Sequence, residues 1–310
     1  MRRWVSKEPI KSGHKNMGDG FTFIFTNIFA LVPLFLVMLL GIPHGAADGL
    51  IALRARLVTS RTQAMLFGIG YLALCGLVIG CWQVAPVLSL AGFLFISAVH
   101  FGLGDSVGDF SRPQRFVRVI AHGGSVVLLI PLFHAVPAIE VFTLLSGTDA
   151  RIFLIVMNFV LPLWLAAFAL LVWDDMPGGG REVMLLSAMI AMYFVLPPLW
   201  GFAVYFCAVH SRRHFAALAR LYQQSENSEK LPAMRHFFWQ IFAFSAVVVM
   251  AMLVVAVQLQ GTFEGRFEGR FEGALTASVF IGLAALTVPH MLLVDGLRFK
   301  KGFWQAAQAA

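Results

Sequence analysis

The sequence consists of long apolar runs separated by short polar segments. A helix needs about 20 mainly apolar residues to cross the hydrocarbon core of a bilayer. Runs of roughly this kind lie near residues 21–41, 64–82, 84–101, 116–139, 152–173, 183–197, 199–215, 237–259 and 274–294. The pattern predicts an all-α fold, a polytopic transmembrane helical bundle with about nine spans, and eight to ten spans are compatible with it.

The sixth and seventh runs are separated only by the segment Leu196-Pro197-Pro198-Leu199. Two adjacent prolines remove two backbone donors and clash with the preceding helical turn. The segment is therefore either a tight turn between two spans or a severe kink within one. The choice matters, because it decides on which side of the membrane the residues after it lie.

Composition supports the membrane interpretation. Of the 310 residues, 59% are hydrophobic and 13% are charged, and the mean hydropathy is +0.80. Globular domains average about 25% charged residues, so this composition excludes a secreted enzyme, a cytosolic dinucleotide-binding domain and a disordered scaffold. The formal charge of +7 comes from Lys and Arg in small groups between apolar runs, which is typical of juxtamembrane anchors and indicates no nucleic-acid partner.

The predicted organisation is a single transmembrane domain with two tails. A basic N-terminal tail occupies residues 1–20, the transmembrane domain residues 21–298 and a C-terminal tail residues 299–310. A repeat of Phe, Glu, Gly and Arg at residues 263–273 is expected to be a solvated loop without chemistry. With nine spans and the N-terminus outside, the inner segments carry more Lys and Arg than the outer ones, which favours this orientation.

Six histidines lie at the ends of predicted spans. In the nine-span topology all six face the same side of the membrane, because ends of odd-numbered spans and starts of even-numbered spans share one surface. A strongly polar side chain at membrane depth costs several kcal/mol, about 2.5–3.5 for charged types, so it needs a partner or a function. The six are His44, His100, His122, His210, His214 and His290.

His210 and His214 form the most specific local signal. Their i, i+4 spacing places both rings on one helix face, about 6 Å apart along the axis, where they could ligate one metal ion. The alternative is a pair of interfacial histidines flanking Arg212 and Arg213. His44 and His100 strengthen the metal hypothesis, and neutral imidazoles suit Fe, Cu or Zn.

Further polar residues could support such a site. Asp48, Asp105 and Asp295 each follow a histidine by four or five residues and could accept hydrogen bonds from imidazole N–H groups; equally, they could be helix caps or loop anions. His122 and His290 are candidates for orienting or substrate-side groups rather than ligands.

Five segments together resemble a known family. GIPHGAADG, SAVHFGLGD, IAHGG, YFCAVHSRRHF and IGLAALTVPHMLLVD resemble, in order from about residue 40 to residue 298, the Brp/Blh family of membrane β-carotene 15,15′-dioxygenases. The resemblance implies cleavage of the central double bond of β-carotene with O₂ to give two retinal molecules. It also implies non-haem Fe(II) held by His44, His100, His210 and His214.

The resemblance further implies a multi-pass protein of the cell membrane that takes β-carotene from the bilayer and makes retinal available to a rhodopsin. The orientation predicted from Lys and Arg places the iron site near the cytoplasmic side. A hydrocarbon polyene must be held by shape, so aromatic residues near the ligands are candidate tunnel walls, although for any one of them lipid-facing or core packing is the more common role. These residues are Phe93, Phe101, Trp200, Phe202, Tyr205 and Phe206. The oligomeric state stays open.

Three other classes are compatible with paired histidines in a membrane. A membrane di-iron oxidoreductase acting on a lipid normally needs additional HxxHH clusters, and the sequence contains none. A b-type haem protein would show a Soret band. A non-enzymatic carotenoid- or retinal-binding protein would contain no metal and form no retinal.

Overall fold

A computed structural model describes residues 31–41, 43, 45, 47–106, 110–223 and 271–299, together with isolated positions between 239 and 254. All regular structure in these ranges is helical, and the ranges contain no strand. Five of the described helices are long and apolar enough to cross a membrane: Arg61–Val84, Pro86–Asp105, Arg112–Phe133, Arg151–Gly178 and Gly273–Leu297. The all-α prediction is confirmed, whereas the count of about nine spans is not.

Eleven α-helices are numbered here in chain order. They are α1 (Asp48–Arg54), α2 (Arg61–Val84), α3 (Pro86–Asp105), α4 (Arg112–Gly124), α5 (Ile130–Phe133), α6 (Ala135–Ser146), α7 (Arg151–Asp175), α8 (Arg181–Val195), α9 (Pro198–Val204), α10 (Arg212–Gln223) and α11 (Phe271–Phe299). Three π-helical segments, Val37–Gly41, Ser125–Leu129 and Tyr205–Ser211, and a short 3₁₀ turn at Met176–Gly178 lie between or before them.

The fourth predicted span is too long at its C-terminal end. The helix ends at Phe133, because His134 leaves the helical conformation with φ −129° and ψ 57°, and α6 then begins as a separate helix. Two further predictions fall partly or largely outside the described residues, namely the spans 21–41 and 237–259, as do both tails apart from the end of α11. The last three residues of the 263–273 repeat begin α11 rather than belonging to a loop.

The Pro197-Pro198 segment is a turn between two helices. Leu196 and Pro197 both have extended ψ values, 142° and 153°. Pro198 then occupies the first turn of α9, where its missing N–H is harmless. The helix is thus interrupted at this segment, but neither α8 nor α9 is among the described helices long enough to cross a membrane, so a turn between two spans stays a prediction.

Helices α3 and α4 pack very closely through two glycines. A Cβ atom on Gly102 would overlap the carbonyl oxygen of Val119, and one on Gly123 would overlap the carbonyl oxygen of Ala98. Small residues at helix contacts allow such backbone approach in membrane bundles. The Trp164 indole Nε1–H also donates to Ala121 O at 2.9 Å. The last turns of α3 are thus held firmly against α4.

Candidate metal centre and pocket

Four histidine rings lie side by side in the buried interior of the bundle. His100 comes from α3, His210 from the π-helical segment Tyr205–Ser211, His214 from α10 and His290 from α11. The ring centres are 5.0 Å apart for His100 and His210, 5.1 Å for His100 and His290, and 5.2 Å for His214 and His290. All four residues are buried. Three distant parts of the chain therefore bring imidazoles to one place.

The position of His44, the remaining predicted ligand, lies outside the described residues. Its neighbour Gly45 lines the same pocket as His100 and His290. Asp48, at the start of α1, contacts His290. The described residues that flank position 44 thus belong to this part of the molecule.

A buried carboxylate lies beside each of three rings. Asp295 Oδ2 is 2.9 Å from His100 Nδ1, and Asp48 Oδ1 is 2.7 Å from His290 Nδ1. The third contact, Asp105 Oδ1 to His210 Nδ1, is 3.8 Å, which is too long for a hydrogen bond but close enough for electrostatic attraction. In the first two pairs Nε2 faces away from the carboxylate.

These pairings differ from those that the sequence suggested. The local spacing places Asp48 after His44, Asp105 after His100 and Asp295 after His290. In the structure each carboxylate lies beside a histidine of another helix, Asp295 beside His100, Asp48 beside His290 and Asp105 beside His210, while His44 lies outside the described residues. The three contacts therefore tie the helices together around the rings.

Hydroxyl and guanidinium groups complete this environment. The Tyr71 hydroxyl donates to Asp48 Oδ2 at 2.9 Å, and the Tyr205 hydroxyl donates to Asp105 Oδ2 at 2.7 Å. Arg213 Nη1 lies 3.1 Å from Asp105 Oδ1. Each of these two carboxylates is thereby held from a second side.

An apolar pocket opens beside the rings. Four of the six predicted tunnel residues line it: Phe93, Phe101, Phe202 and Phe206. Tyr205 is not among its lining residues, because the tyrosine hydroxyl is directed to Asp105, and neither is Trp200. The remaining described lining residues are Gly45, Ser97, His100, Leu283, Leu286, Thr287 and His290.

Aromatic rings continue from the pocket to the histidines. The rings of Phe202 and Phe206 are stacked, with 11° between their planes, and Phe206 is stacked on His210 with 10° between planes. Phe101 contacts His210 edge-on, with ring centres 4.9 Å apart. A flat hydrocarbon in this pocket would therefore lie against aromatic faces and next to imidazoles.

His122 lies in a different polar network. Its Nε2 is 2.7 Å from Glu182 Oε1, and the buried Arg118 contacts Glu182 through Nε at 2.9 Å and Asp174 through Nη1 at 2.7 Å. Partial burial alone would raise the pKa of the Glu182 carboxyl. The hydrogen bond with His122 and the charge of Arg118 outweigh that effect and hold the pKa below its usual value.

The spacing of the clustered rings fits a shared metal ion. With an ion about 2.1 Å from each coordinating nitrogen, two imidazoles at a roughly tetrahedral angle have ring centres about 5 Å apart. Among the residues that the structure describes, however, no three His, Cys, Asp or Glu side chains are placed so that they could hold one ion. The spacing between neighbouring rings is therefore that of two ligands of one ion, whereas a group of three ligands around one ion is not found among the described residues.

Comparison with known proteins decides the family. A family model described as "Beta-carotene 15,15'-dioxygenase" matches residues 35–298. The chain belongs to this family.

Individual relatives agree with the family match. A "Beta-carotene 15,15'-dioxygenase" from an uncultured marine bacterium, 66A03, is 30% identical over 263 residues, which cover 84% of this chain and 90% of the relative. A "Probable beta-carotene 15,15'-dioxygenase Blh" from Halobacterium salinarum is 32% identical over 202 residues, covering 57% and 58% respectively. No solved structure matches. The resemblance seen in the sequence motifs is thus confirmed.

In this family member, sequence reasoning missed two polar residues of the site, Tyr71 and Arg213. Tyr71 lies in the middle of an apolar run, 23 residues from Asp48, and a lone tyrosine there gives no signal of its partner. Arg213 lies between the paired histidines, and a basic residue near the end of an apolar run is typical of a juxtamembrane anchor. Only the packing of α2, α3 and α10 reveals their contacts with Asp48 and Asp105.

Proposed function

We propose that this chain is a non-haem iron oxygenase that cleaves β-carotene at the central 15,15′ double bond with O₂ and forms two retinal molecules. The observation that carries the proposal is the cluster of buried imidazoles beside an aromatic pocket, in a chain of the β-carotene 15,15′-dioxygenase family. Retinal released into the bilayer would be available to a retinal-binding membrane protein such as a rhodopsin.

The proposed iron ligands are His44, His100, His210 and His214. Bound iron would supply the oxygen chemistry, since neutral imidazoles do not compensate its positive charge. Asp295 accepts the hydrogen bond from His100 Nδ1–H and fixes the ring so that Nε2 is the coordinating nitrogen. Asp105 attracts the Nδ1 side of the His210 ring, and Asp105 itself accepts a hydrogen bond from the Tyr205 hydroxyl.

The pocket would bind the middle of the polyene. Its walls are mainly aromatic and aliphatic, so they offer shape and dispersion contacts but few hydrogen-bonding groups. Phe101 and Phe206 contact the His210 ring and line the pocket at once. They would therefore hold the reacting double bond next to the metal and exclude water from it.

We place the metal centre toward the cytoplasmic side of the cell membrane. Arg213 contacts Asp105 at the end of α3, and Gln114 near the start of α4 donates to Asp174 at the end of α7 at 2.8 Å. The helix ends that carry most of the arginines thus lie on the same side of the bundle as the histidines. The positive-inside rule assigns this arginine-rich side to the cytoplasm.

Two variants that each add one cysteine to a chain in which Cys75, Cys81 and Cys207 are replaced by alanine test this orientation. Gly178 and Thr148 are exposed residues at opposite ends of α7, and a Cβ on Gly178 would meet nothing within 4 Å. A membrane-impermeant maleimide is expected to label Thr148→Cys in intact cells and Gly178→Cys only after permeabilisation, with the parent chain as the blank. The reverse pattern would contradict the orientation.

The activity is tested in cells that synthesise β-carotene. The unmodified chain is expected to produce retinal, and His210→Ala is expected to reduce retinal to the background of cells without the protein. His134→Ala is the matched control, because His134 Nε2 bonds to the backbone oxygen of Tyr193 at 2.8 Å, outside the cluster.

Three results would reject the proposal: retinal production by His210→Ala at the unmodified level, zinc instead of iron in the purified protein, or a Soret band indicating haem. The first result would contradict the proposed ligands, because His210 would not be needed. The second would contradict oxygen chemistry at iron, and the third would contradict a non-haem centre.

A further inference from the structure

His290 occupies a position equivalent to that of His100. Its ring centre is 5.1 Å from that of His100 and 5.2 Å from that of His214, and His100 and His210 are separated by 5.0 Å. His290 also lines the aromatic pocket together with His100. In ring spacing and in its place beside the pocket, His290 matches His100, one of the histidines assigned as ligands.

The two rings are also oriented in the same way. Asp48 contacts Nδ1 of His290 at 2.7 Å, as Asp295 contacts Nδ1 of His100 at 2.9 Å. Asp48 is nearly fully buried and is fixed from its other oxygen by the Tyr71 hydroxyl at 2.9 Å. A carboxylate that accepts from Nδ1–H leaves Nε2 deprotonated and directed away from it, which is the usual arrangement of a metal-binding histidine.

Histidines elsewhere in the described chain are arranged differently. His122 and His134 use Nε2 for contacts inside the protein, with Glu182 and with the Tyr193 backbone oxygen. Their Nε2 atoms are engaged by structural partners and lie outside the ring cluster. The Nδ1 contact with a buried carboxylate therefore separates His100 and His290 from the histidines that serve packing.

We propose that His290 is a further ligand of the metal centre and that Asp48 and Tyr71 are its positioning residues. This inference rests on the proposed function, since it assumes that the cluster binds iron. It adds an imidazole from α11 to those from α3 and α10, so that metal binding would hold the C-terminal helix to the rest of the bundle.

Metal titration tests the role of His290 without relying on activity. The purified full-length protein in detergent is freed of metal and titrated anaerobically with Co(II), whose visible absorption depends on the number and type of its ligands. His290→Gln is expected to lower Co(II) affinity at least tenfold and to change the absorption spectrum. His134→Gln, with the same change outside the cluster, is expected to leave both unchanged.

Two milder variants keep the test decisive if His290→Gln does not fold. Asp48→Asn is expected to weaken Co(II) binding by about 10–100-fold, the usual effect of removing a partner of a metal-binding histidine. Tyr71→Phe, which removes only the hydroxyl that holds Asp48, is expected to weaken it less. The loss of Co(II) affinity is expected to be largest for His290→Gln, smaller for Asp48→Asn and smallest for Tyr71→Phe. A purely structural role for His290 would not produce this order.

The failure of this inference can be distinguished from the failure of the proposed function. If the unmodified protein binds Co(II) and His290→Gln binds it equally well with the same spectrum, only the assignment of His290 is wrong. When His290→Gln does not fold, unchanged Co(II) binding by both Asp48→Asn and Tyr71→Phe has the same meaning. If the unmodified protein binds neither Co(II) nor Fe(II), the metal centre itself is wrong, and the proposed function fails with it.

Discussion

In the part of the chain that the structure describes, histidines meet carboxylates in two regions, and these regions differ in which ring nitrogen makes the contact. In the metal-centre cluster, His100 and His290 contact Asp295 and Asp48 through Nδ1. In the second region, defined by Arg118, His122, Asp174 and Glu182 and called here the arginine network, His122 contacts Glu182 through Nε2. A histidine thus contacts a carboxylate through Nδ1 in one region and through Nε2 in the other.

The two regions also differ in what surrounds their histidines. The cluster lies next to an aromatic pocket, and its imidazoles are each other's neighbours. In the arginine network the carboxylates of α7 and α8 close on the guanidinium of Arg118 from α4, and the Phe110 ring covers it at 3.8 Å. We interpret the arginine network as a structural set of ion pairs that joins three helices, since its charged side chains contact each other.

The largest expected difference between the two regions comes from replacing one histidine in each. His100→Gln is expected to abolish both iron binding and retinal formation, because it removes a ligand and leaves Asp295 without its partner. His122→Gln is expected to retain most of both, since the glutamine amide can still donate to Glu182. Iron per protein by elemental analysis and retinal by chromatography are the measurements.

The comparison would fail if the two variants lost iron to the same degree. Such a result would mean that the arginine network is part of the metal site, or that both substitutions act only by unfolding the bundle. Thermal unfolding in detergent, followed for both variants, separates these two explanations.

Replacing one carboxylate in each region gives a smaller contrast. Asp295→Asn is expected to weaken iron binding or activity by about 10–100-fold, because an amide orients the His100 ring less well than a carboxylate. Glu182→Gln is expected to leave iron binding unchanged and to reduce stability by about 1–3 kcal/mol, since it weakens the pairing of Arg118. Metal titration and unfolding curves are recorded for both proteins.

If Asp295→Asn bound iron as tightly as the unmodified chain, the Nδ1 contact would have no role in presenting His100. If Glu182→Gln had the same unfolding curve as the unmodified protein, the ion pairs of the arginine network would not stabilise the fold.

The smallest expected effect is a dependence of stability on pH that belongs to the arginine network. The pKa of Glu182 is lowered in the folded protein, so its ionised form contributes stability above the pKa of the unfolded chain. That contribution is lost as the pH falls through the lowered folded pKa. The difference in melting temperature between the unmodified protein and Glu182→Gln should therefore be largest near neutral pH and should shrink on acidification.

Arg118 and His122 contact Glu182 directly, and Asp174 shares the Arg118 guanidinium. The His122→Gln protein is therefore measured alongside, with and without Glu182→Gln. A melting-temperature difference that stayed constant down to acid pH would contradict the assignment of the effect to Glu182.

The apolar runs predicted the helical architecture well because lipid imposes a strong constraint on length and composition. The spans at 64–82, 84–101 and 152–173 correspond to α2, α3 and α7 within a few residues. The fourth span ends earlier than predicted, because the backbone leaves the helix at His134, between Pro131 and Pro137, within an otherwise apolar stretch. Hydropathy reports burial in lipid, not the local backbone conformation.

The site was predicted less completely than the fold. The motifs singled out His100, His210 and His214, which the structure brings together, but ranked His290 below them although its ring lies in the same cluster. The reason is that sequence spacing describes one helix at a time. Contacts between helices, such as those of Asp48 with His290 and Tyr71, depend on how the helices pack.

The π-helical stretch Tyr205–Ser211 has a consequence for how this centre tolerates change in chain length. A π-helical stretch accommodates an extra residue in an α-helix, and His210 lies within it while His214 follows in regular α-helix. Deleting one residue from it would rewind the backbone and rotate everything beyond by about 100°. A deletion before His210 would turn His210 and His214 together away from His100 and His290, their present neighbours. The register of this stretch therefore decides which helices the two imidazoles face, while their i, i+4 spacing keeps them on one helix face.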